Sequence, residues 1–123
     1  MPSRERVEAL IAMVEQAKFV EAIEAFYTED ATMQENQQPP RGPRAVLVEG
    51  EKKTLAAHKE ARTLPGSTFV VDGDRVAIRW TFEFTRRDGK CFRMEEIALQ
   101  HWRGDRIAEE RFFYDAEQLK RFI

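Results

Sequence analysis

The sequence is poor in cysteine and histidine and has no long hydrophobic run, and each shortage excludes a class of protein. The single cysteine, Cys91, has no partner for an intrachain disulfide, and without further Cys or clustered His a structural zinc site has no ligand set. The longest apolar run, residues 9–14, is too short to span a bilayer or to form the core of a secretory signal. We therefore expect a cytoplasmic protein without a membrane segment.

The chain also lacks a large excess of positive or negative charge. Twenty Lys and Arg stand against 22 Asp and Glu, for a net charge of -2, and the basic residues are scattered among acidic ones. A nucleic-acid partner is not expected, because such proteins gather positive charge into a patch or stripe.

What the chain does have is apolar bulk. It is 42% hydrophobic, with nine Phe and two Trp in 123 residues. That length suits one domain, and burial of these side chains can offset the entropy lost on folding. We expect a single domain over residues 1–123.

Apolar residues at helical spacing predict two helices near the N-terminus, the first capped by Ser3 and the second ended by residues 28–30. A loop with three prolines follows at residues 36–43, and a third helix is predicted over residues 44–62, ended by Leu64-Pro65-Gly66. The first two apolar stripes are Val7, Leu10, Ile11 and Val14, and then Phe19, Ile23, Phe26 and Tyr27.

From residue 67 onward apolar and polar residues alternate, which is the spacing of half-buried strands. Asp88-Gly89 and Gly104-Asp105 suit two-residue hairpin turns. An antiparallel meander is therefore predicted, with strands at residues 67–72, 75–87, 90–103 and 106–114. Asp115 is placed to cap a short C-terminal helix.

Two-residue turns fix which residues of neighbouring strands face each other. They place Phe82 opposite Glu95, and Trp80 opposite Ile97. One face then combines apolar residues with four titratable ones, which is typical of a pocket wall. Its apolar residues are Val76, Ile78, Trp80, Phe82, Phe84, Ile97, Leu99 and Phe112, and its titratable residues are Glu95, His101, Glu110 and Tyr114.

Several alternatives stay open for this face. A one-residue bulge would turn part of a strand over, because each slip moves every side chain to the opposite face. The titratable groups could instead form a rim bonded to one another and to water. Glu95, Glu110 and His101 could equally form a catalytic acid/base pair, because apolar walls and like charge would separate their pKa values. The two acids and the histidine could also hold a metal, although no motif supports a metal.

The opposite face of the predicted sheet is too apolar to be left in water. We therefore expect a homodimer formed through this outer face. Its apolar residues are Met94, Ala98, Trp102, Ile107 and Phe113.

The order of elements resembles the nuclear transport factor 2-like superfamily, and its SnoaL-like polyketide cyclase branch most of all. The resemblance extends over nearly the whole chain, and includes the stretch Phe-Tyr-Thr-Glu-Asp-Ala-Thr-Met-Gln-Glu-Asn at residues 26–36 and the final strand at residues 104–115. It implies an α+β, cone-shaped fold in which three N-terminal helices close a curved antiparallel sheet. It also implies a ligand pocket at the open end.

Ketosteroid isomerases of that superfamily have a general-base carboxylate soon after a Tyr-x-x-Asp-Ala-Thr stretch. Matching this to residues 27–32 places Glu35 at the base position, where it could remove a proton from a carbon acid. Tyr27, His101 or Tyr114 would then stabilise the oxyanion. The pocket face, taken together with this resemblance, predicts that the ligand contacts are Tyr27, Asn36, Trp80, Phe82, Glu95, Ile97 and Phe112.

The sequence departs from its relatives at several catalytic positions. The oxyanion-hole Tyr and Asp of the isomerases fall near Leu10 or Ile11 and near Ile97 or Ala98, and the catalytic Asp of the cyclases falls at Phe112. The sequence is therefore compatible with two functions. One is a cofactor-independent cyclase, isomerase or dehydratase acting on a small molecule. The other is a non-catalytic binder of a small apolar or aromatic ligand, or a dimeric interaction module. In the second interpretation the carboxylate of Glu35, beside Asn36 and the Pro-rich loop, simply caps the end of the cone.

Overall fold

The two predicted N-terminal helices are confirmed by the computed structural model, which describes residues 1–123. Helix α1 is Arg4–Glu15, and Ser3 caps it by accepting a hydrogen bond from the Arg6 amide at 3.1 Å. Helix α2 is Phe19–Phe26. Their apolar stripes form one side of the core, and none of the helices is long and apolar enough to cross a bilayer.

The predicted third helix is too long. Helix α3 is Arg44–Ala57, and the chain then turns into strand β2, His58–Thr63. Strand β1, Tyr27–Glu35, was likewise missed, because residues 28–30 continue the chain as a strand and do not break it. The remaining strands are β3, Thr68–Asp72, β4, Arg75–Arg86, β5, Cys91–Arg103, and β6, Arg106–Phe113.

These strands form one six-stranded sheet in the order β1-β6-β5-β4-β2. The long strand β4 pairs with β3 along its first half and with β2 along its second half. Strand β1 runs parallel to β6, and every other pair is antiparallel. The apolar core lies between this sheet and the helices.

The turn between β4 and β5 holds three residues, 87–89, where two were predicted. Arg86 and Lys90 close it with a hydrogen bond of 2.7 Å, and Gly89 adopts a φ of +87°, which an L side chain disfavours. The extra residue moves β5 by one position, so Trp80 faces Glu96 and Phe82 faces Met94. Every β5 side chain therefore lies on the face opposite to the predicted one.

The second hairpin has the predicted two-residue turn at Gly104-Asp105, but a one-residue bulge lies beyond it. Trp102 faces Ile107 while His101 faces Glu109, so Ala108 is the extra residue on β6. The bulge compensates for the shift in the first hairpin. Gln100 then faces Glu110, and Ala98 faces Phe112, so Glu110 and Phe112 remain on the inner face as predicted.

The chain ends in a short 3₁₀ helix, Ala116–Lys120, capped by Asp115, which accepts a hydrogen bond from the Glu117 amide at 2.9 Å. The last residues return to the start of β5, where the Ile123 amide donates to the Cys91 carbonyl at 2.8 Å.

Candidate functional site

A cavity of about 220 Å³ opens between the inner face of the sheet and the three helices. Thirteen of its 20 lining residues are hydrophobic. Three aromatic rings follow one another along β4, with Trp80 and Phe82 stacked at a centroid distance of 5.8 Å. The lining residues are Leu10, Val14, Phe19, Ala22, Ile23, Tyr27, Met33, Glu35, Arg41, Glu51, Thr54, Ala61, Trp80, Phe82, Phe84, Met94, Glu96, Gln100, Glu110 and Phe112.

Glu110 lies at the inner end of a chain of buried hydrogen bonds. The Tyr27 hydroxyl donates to one of its carboxyl oxygens, and Gln100 Nε2 donates to the other at 2.7 Å. Trp102 Nε1 in turn donates to Gln100 Oε1 at 2.9 Å, which fixes the orientation of the amide. The side chain of Glu110 is therefore held in one position with both oxygens engaged.

Near neutral pH the Glu110 carboxyl is present in both its protonated and its ionised form. The residue is only 4% exposed, and burial raises the pKa of its carboxyl to about 7, although the hydrogen bonds from Tyr27 and Gln100 oppose the rise. Burial and the neighbouring Glu110 also raise the pKa of Tyr27 well above its ordinary value. Tyr27 therefore remains a proton donor at physiological pH.

Glu96 is a second buried acid of the cavity, at 5% exposure, and lies opposite Trp80. Its carboxyl makes no hydrogen bond or ion pair with another residue, so its oxygens are left facing the cavity. Burial, and then the negative charge of Glu110, raise the pKa of Glu96 to about 8. An acid in this position carries its proton at neutral pH until something pairs with it.

The remaining charged lining residues lie on β1, on α3 and in the loop between them. Arg41 Nη1 is 2.6 Å from Glu35 Oε2, and the Tyr114 hydroxyl is 3.4 Å from Glu35 Oε1. Glu51 on α3 has no such partner, and burial raises its pKa although the positive charge of Arg41 opposes the rise. The cavity thus has four carboxyl groups and one guanidinium group.

The structure brings together about half of the predicted site. Six predicted residues line the cavity: Tyr27, Glu35, Trp80, Phe82, Glu110 and Phe112. Tyr114 reaches it only through Glu35, and Asn36 does not line it. Instead Asn36 joins β1 to β6, because its Oδ1 accepts from the Tyr114 amide at 3.0 Å and its carbonyl accepts from Arg111 at 3.0 Å.

Four residues predicted for the pocket wall, Glu95, Ile97, Leu99 and His101, lie elsewhere, because the three-residue turn reverses β5; Leu99 is 38% exposed on the outer face. Glu95 is on the outer face and pairs with Arg79 at 2.8 Å. Ile97 is 42% exposed on the same face. His101 lies in a separate surface depression, with its Nδ1 3.9 Å from Glu109. Their predicted place in the pocket wall is wrong.

Sequence reasoning missed Glu96, Gln100 and Trp102 for the same reason. One signal was nevertheless present: two glutamates are consecutive at positions 95 and 96, so either register brings one acid inside. No group of three or more His, Cys, Asp and Glu side chains is placed to hold a metal ion.

Comparison with known proteins agrees with this architecture. A proposed polyketide cyclase from Pseudomonas putida KT2440 is 19% identical with a TM-score of 0.79, covering 97% of this chain and 96% of its own. TerC, crystallised with polyporic acid, is 17% identical with a TM-score of 0.77, and the match covers 95% and 97% of the two chains.

A third structure is a protein of ketosteroid isomerase-like fold from Catenulispora acidiphila, in complex with trimethylamine. It is 18% identical with a TM-score of 0.77, covering 94% of this chain and 89% of its own. At these identities the likenesses establish a shared fold. No curated protein matches the sequence.

The family profile described as a SnoaL-like domain matches residues 7–110. Those residues run from α1 through β6 as far as Glu110, and they include nearly all of the cavity lining. The resemblance to the nuclear transport factor 2-like superfamily is confirmed, and the fold supports a small-molecule pocket protein. This chain belongs to the SnoaL-like family.

Proposed function

We propose that the protein binds a small, largely apolar molecule in the cavity and transfers a proton on it without a cofactor, as a cyclase, isomerase or dehydratase would. The observation that carries this proposal is Glu110, a buried carboxyl in a ligand-sized apolar cavity, oriented by Tyr27 and Gln100. Two proteins of the same fold were crystallised with small organic molecules, which also supports a ligand role.

In this proposal Glu110 takes the role that the family resemblance gives to Glu35. A general base works best when its pKa lies near the working pH, and the pKa of Glu110 is about 7. Glu35 is ion-paired with Arg41 at 2.6 Å, whereas Glu110 is hydrogen-bonded only to the neutral donors Tyr27 and Gln100. Glu110 would accept a proton from a carbon beside a carbonyl group, while Glu96 would contact the polar end of the ligand.

Hydrogen–deuterium exchange on 2-tetralone, a small apolar ketone, tests this role. In D₂O we expect the wild-type protein to accelerate exchange beside the carbonyl, with a rate that rises as pH passes through about 7 and Glu110 ionises. Glu110→Gln removes the base and should lower the rate by about a hundredfold or more. Glu35→Gln should have a much smaller effect, and NMR spectroscopy measures the exchange.

Glu95→Gln is the matched control, because Glu95 lies on the outer face beside an exposed arginine. If Glu35→Gln abolishes exchange while Glu110→Gln retains it, the two assignments must be reversed. Absence of acceleration by the wild type would favour the alternative function, a non-catalytic binder. One observation favours that alternative: both Glu110 oxygens already accept hydrogen bonds.

We also propose that the protein is a homodimer through the outer face of the sheet. The residues of this face differ from the predicted ones, because Ala98, Trp102 and Ile107 are buried in the core and Met94 lines the cavity. The apolar residues exposed on β5 and β6 are Ile97, Leu99 and Phe113, each about 40% exposed. Leu99→Glu places a charge in this patch and should yield a monomer, while Lys53→Glu on the exposed side of α3 should not. Light scattering after size-exclusion chromatography measures both. A wild-type monomer at all concentrations would contradict the proposal.

A further inference from the structure

The cavity has an excess of acidic groups that the protein does not neutralise. Of its four carboxyl groups only that of Glu35 has a cationic partner, Arg41, at 2.6 Å. Glu110 is bonded to neutral donors, and Glu51 and Glu96 have no partner. No other Lys, Arg or His lines the cavity.

Glu96 points most directly to a missing partner. The residue is only 5% exposed, and no hydrogen bond or ion pair joins its carboxyl to another residue. No fully buried side-chain oxygen lacks a partner, so the unbonded Glu96 oxygens are accessible from the cavity that the residue lines. Buried polar groups in proteins are nearly always hydrogen-bonded, and buried charges are nearly always paired. An acid left open at the wall of a cavity is therefore suited to a partner supplied by the ligand.

The surroundings of Glu96 favour a cation with an apolar body. Its neighbour across the strand pair is Trp80, whose ring stacks on Phe82, and both rings line the cavity. Aromatic faces attract organic cations, most strongly where water is excluded. A bare metal ion does not fit, because no group of three potential ligands is present.

We propose that the cavity takes a small organic cation, an alkylated amine or a quaternary ammonium compound, whose nitrogen lies between the Glu96 carboxylate and the rings of Trp80 and Phe82. This inference rests on the proposed function in taking the cavity as the ligand site, and it adds the chemical class of the ligand.

Binding of a cation should depend on pH. The titratable groups that face Glu96 are Glu110 on β6, Glu35 and Tyr27 on β1, and Glu51 on α3, with Tyr114 after β6; Arg41 is occupied by Glu35. Helices α1 and α2 and strand β4 contribute no charged lining residue. A bound cation favours ionised Glu96, so affinity should increase as pH rises through about 8, with release of a proton.

Choline and 3,3-dimethylbutan-1-ol provide the test, because they have the same shape and differ by a positive nitrogen in place of a carbon. At pH 8.5 we expect calorimetry or NMR titration to show choline binding about tenfold or more tightly than the alcohol. Glu96→Gln should bring the two affinities to within about threefold. Glu95→Gln should keep the wild-type preference.

Equal or tighter binding of the alcohol to the wild-type protein would overturn the inference and leave the cavity as a site for neutral ligands. A choline preference that persists in Glu96→Gln would also overturn it. If neither probe binds, the inference fails. If 2-tetralone exchange is absent as well, the proposed function fails with it.

Discussion

Replacing Glu96 with glutamine is expected to raise the free energy of unfolding of the ligand-free protein at pH 9 by about 5 kcal/mol, and to change it by less than about 1 kcal/mol at pH 5. The pKa of Glu96 in the folded protein is about 8, against an ordinary value of 4.5. Each pH unit of that difference corresponds to about 1.4 kcal/mol.

The sign follows from proton binding. Between pH 4.5 and pH 8 the folded protein holds the Glu96 proton while the unfolded chain has lost it, so stability falls as pH rises through this range. Glutamine cannot ionise, and the variant loses this part of the pH dependence. Urea unfolding followed by far-UV circular dichroism at pH 5 and pH 9 measures the difference.

Glu95→Gln is the matched control for this experiment. Glu95 is the preceding residue in the chain, but it is exposed and paired with Arg79 on the surface. Such pairs contribute little, so we expect a change of less than about 1 kcal/mol at either pH. An equal pH dependence in Glu96→Gln and in the wild type would show that Glu96 is not ionised at a cost to the fold.

Gln100→Leu is expected to lower the free energy of unfolding by about 2 to 4 kcal/mol. Leucine is similar in size, but it can neither donate to Glu110 nor accept from Trp102. Both partners are buried, and each would be left with a polar group that has lost its hydrogen bond. Urea unfolding at pH 6 measures the loss.

The triple variant Gln100→Leu, Glu110→Leu and Tyr27→Phe separates the hydrogen bonds from packing, because Tyr27→Phe removes the hydroxyl that Glu110→Leu alone would leave without an acceptor. Removing the stranded carboxyl should recover part of the lost stability, because replacing both partners by apolar groups costs less than replacing one. A single variant within about 0.5 kcal/mol of the wild type would mean that the chain of hydrogen bonds contributes little to stability.

The spacing of apolar residues predicted those helices and strands that bury one face along their whole length. The α1 stripe and the alternation along β4 each have one buried face, so their patterns are visible in the sequence. Strands β1 and β2 were missed. Strand β2 is rich in charged residues and only its last residue, Thr63, is buried, so its sequence has no strand pattern. It forms a strand because the second half of β4 offers it unpaired backbone groups, which is a tertiary effect.

The candidate site was harder to predict than the fold. Glu110 was correctly placed on the inner face, but only because two errors of one residue cancelled between β4 and β6. Glu95 was chosen where Glu96 is the inner acid. Hydrophobic alternation alone does not decide the register of β5, because Ile97 and Leu99 compete with Ala98 and Trp102 as core residues.

The three-residue turn after β4 has an evolutionary consequence. It lies at the surface, where insertions and deletions are tolerated. Deletion of one residue there would exchange the inward set of β5, replacing Glu96, Ala98 and Gln100 by their sequence neighbours. Divergent descendants of such a protein would thus acquire a different cavity chemistry through one altered turn, with no substitution at any position that lines the cavity.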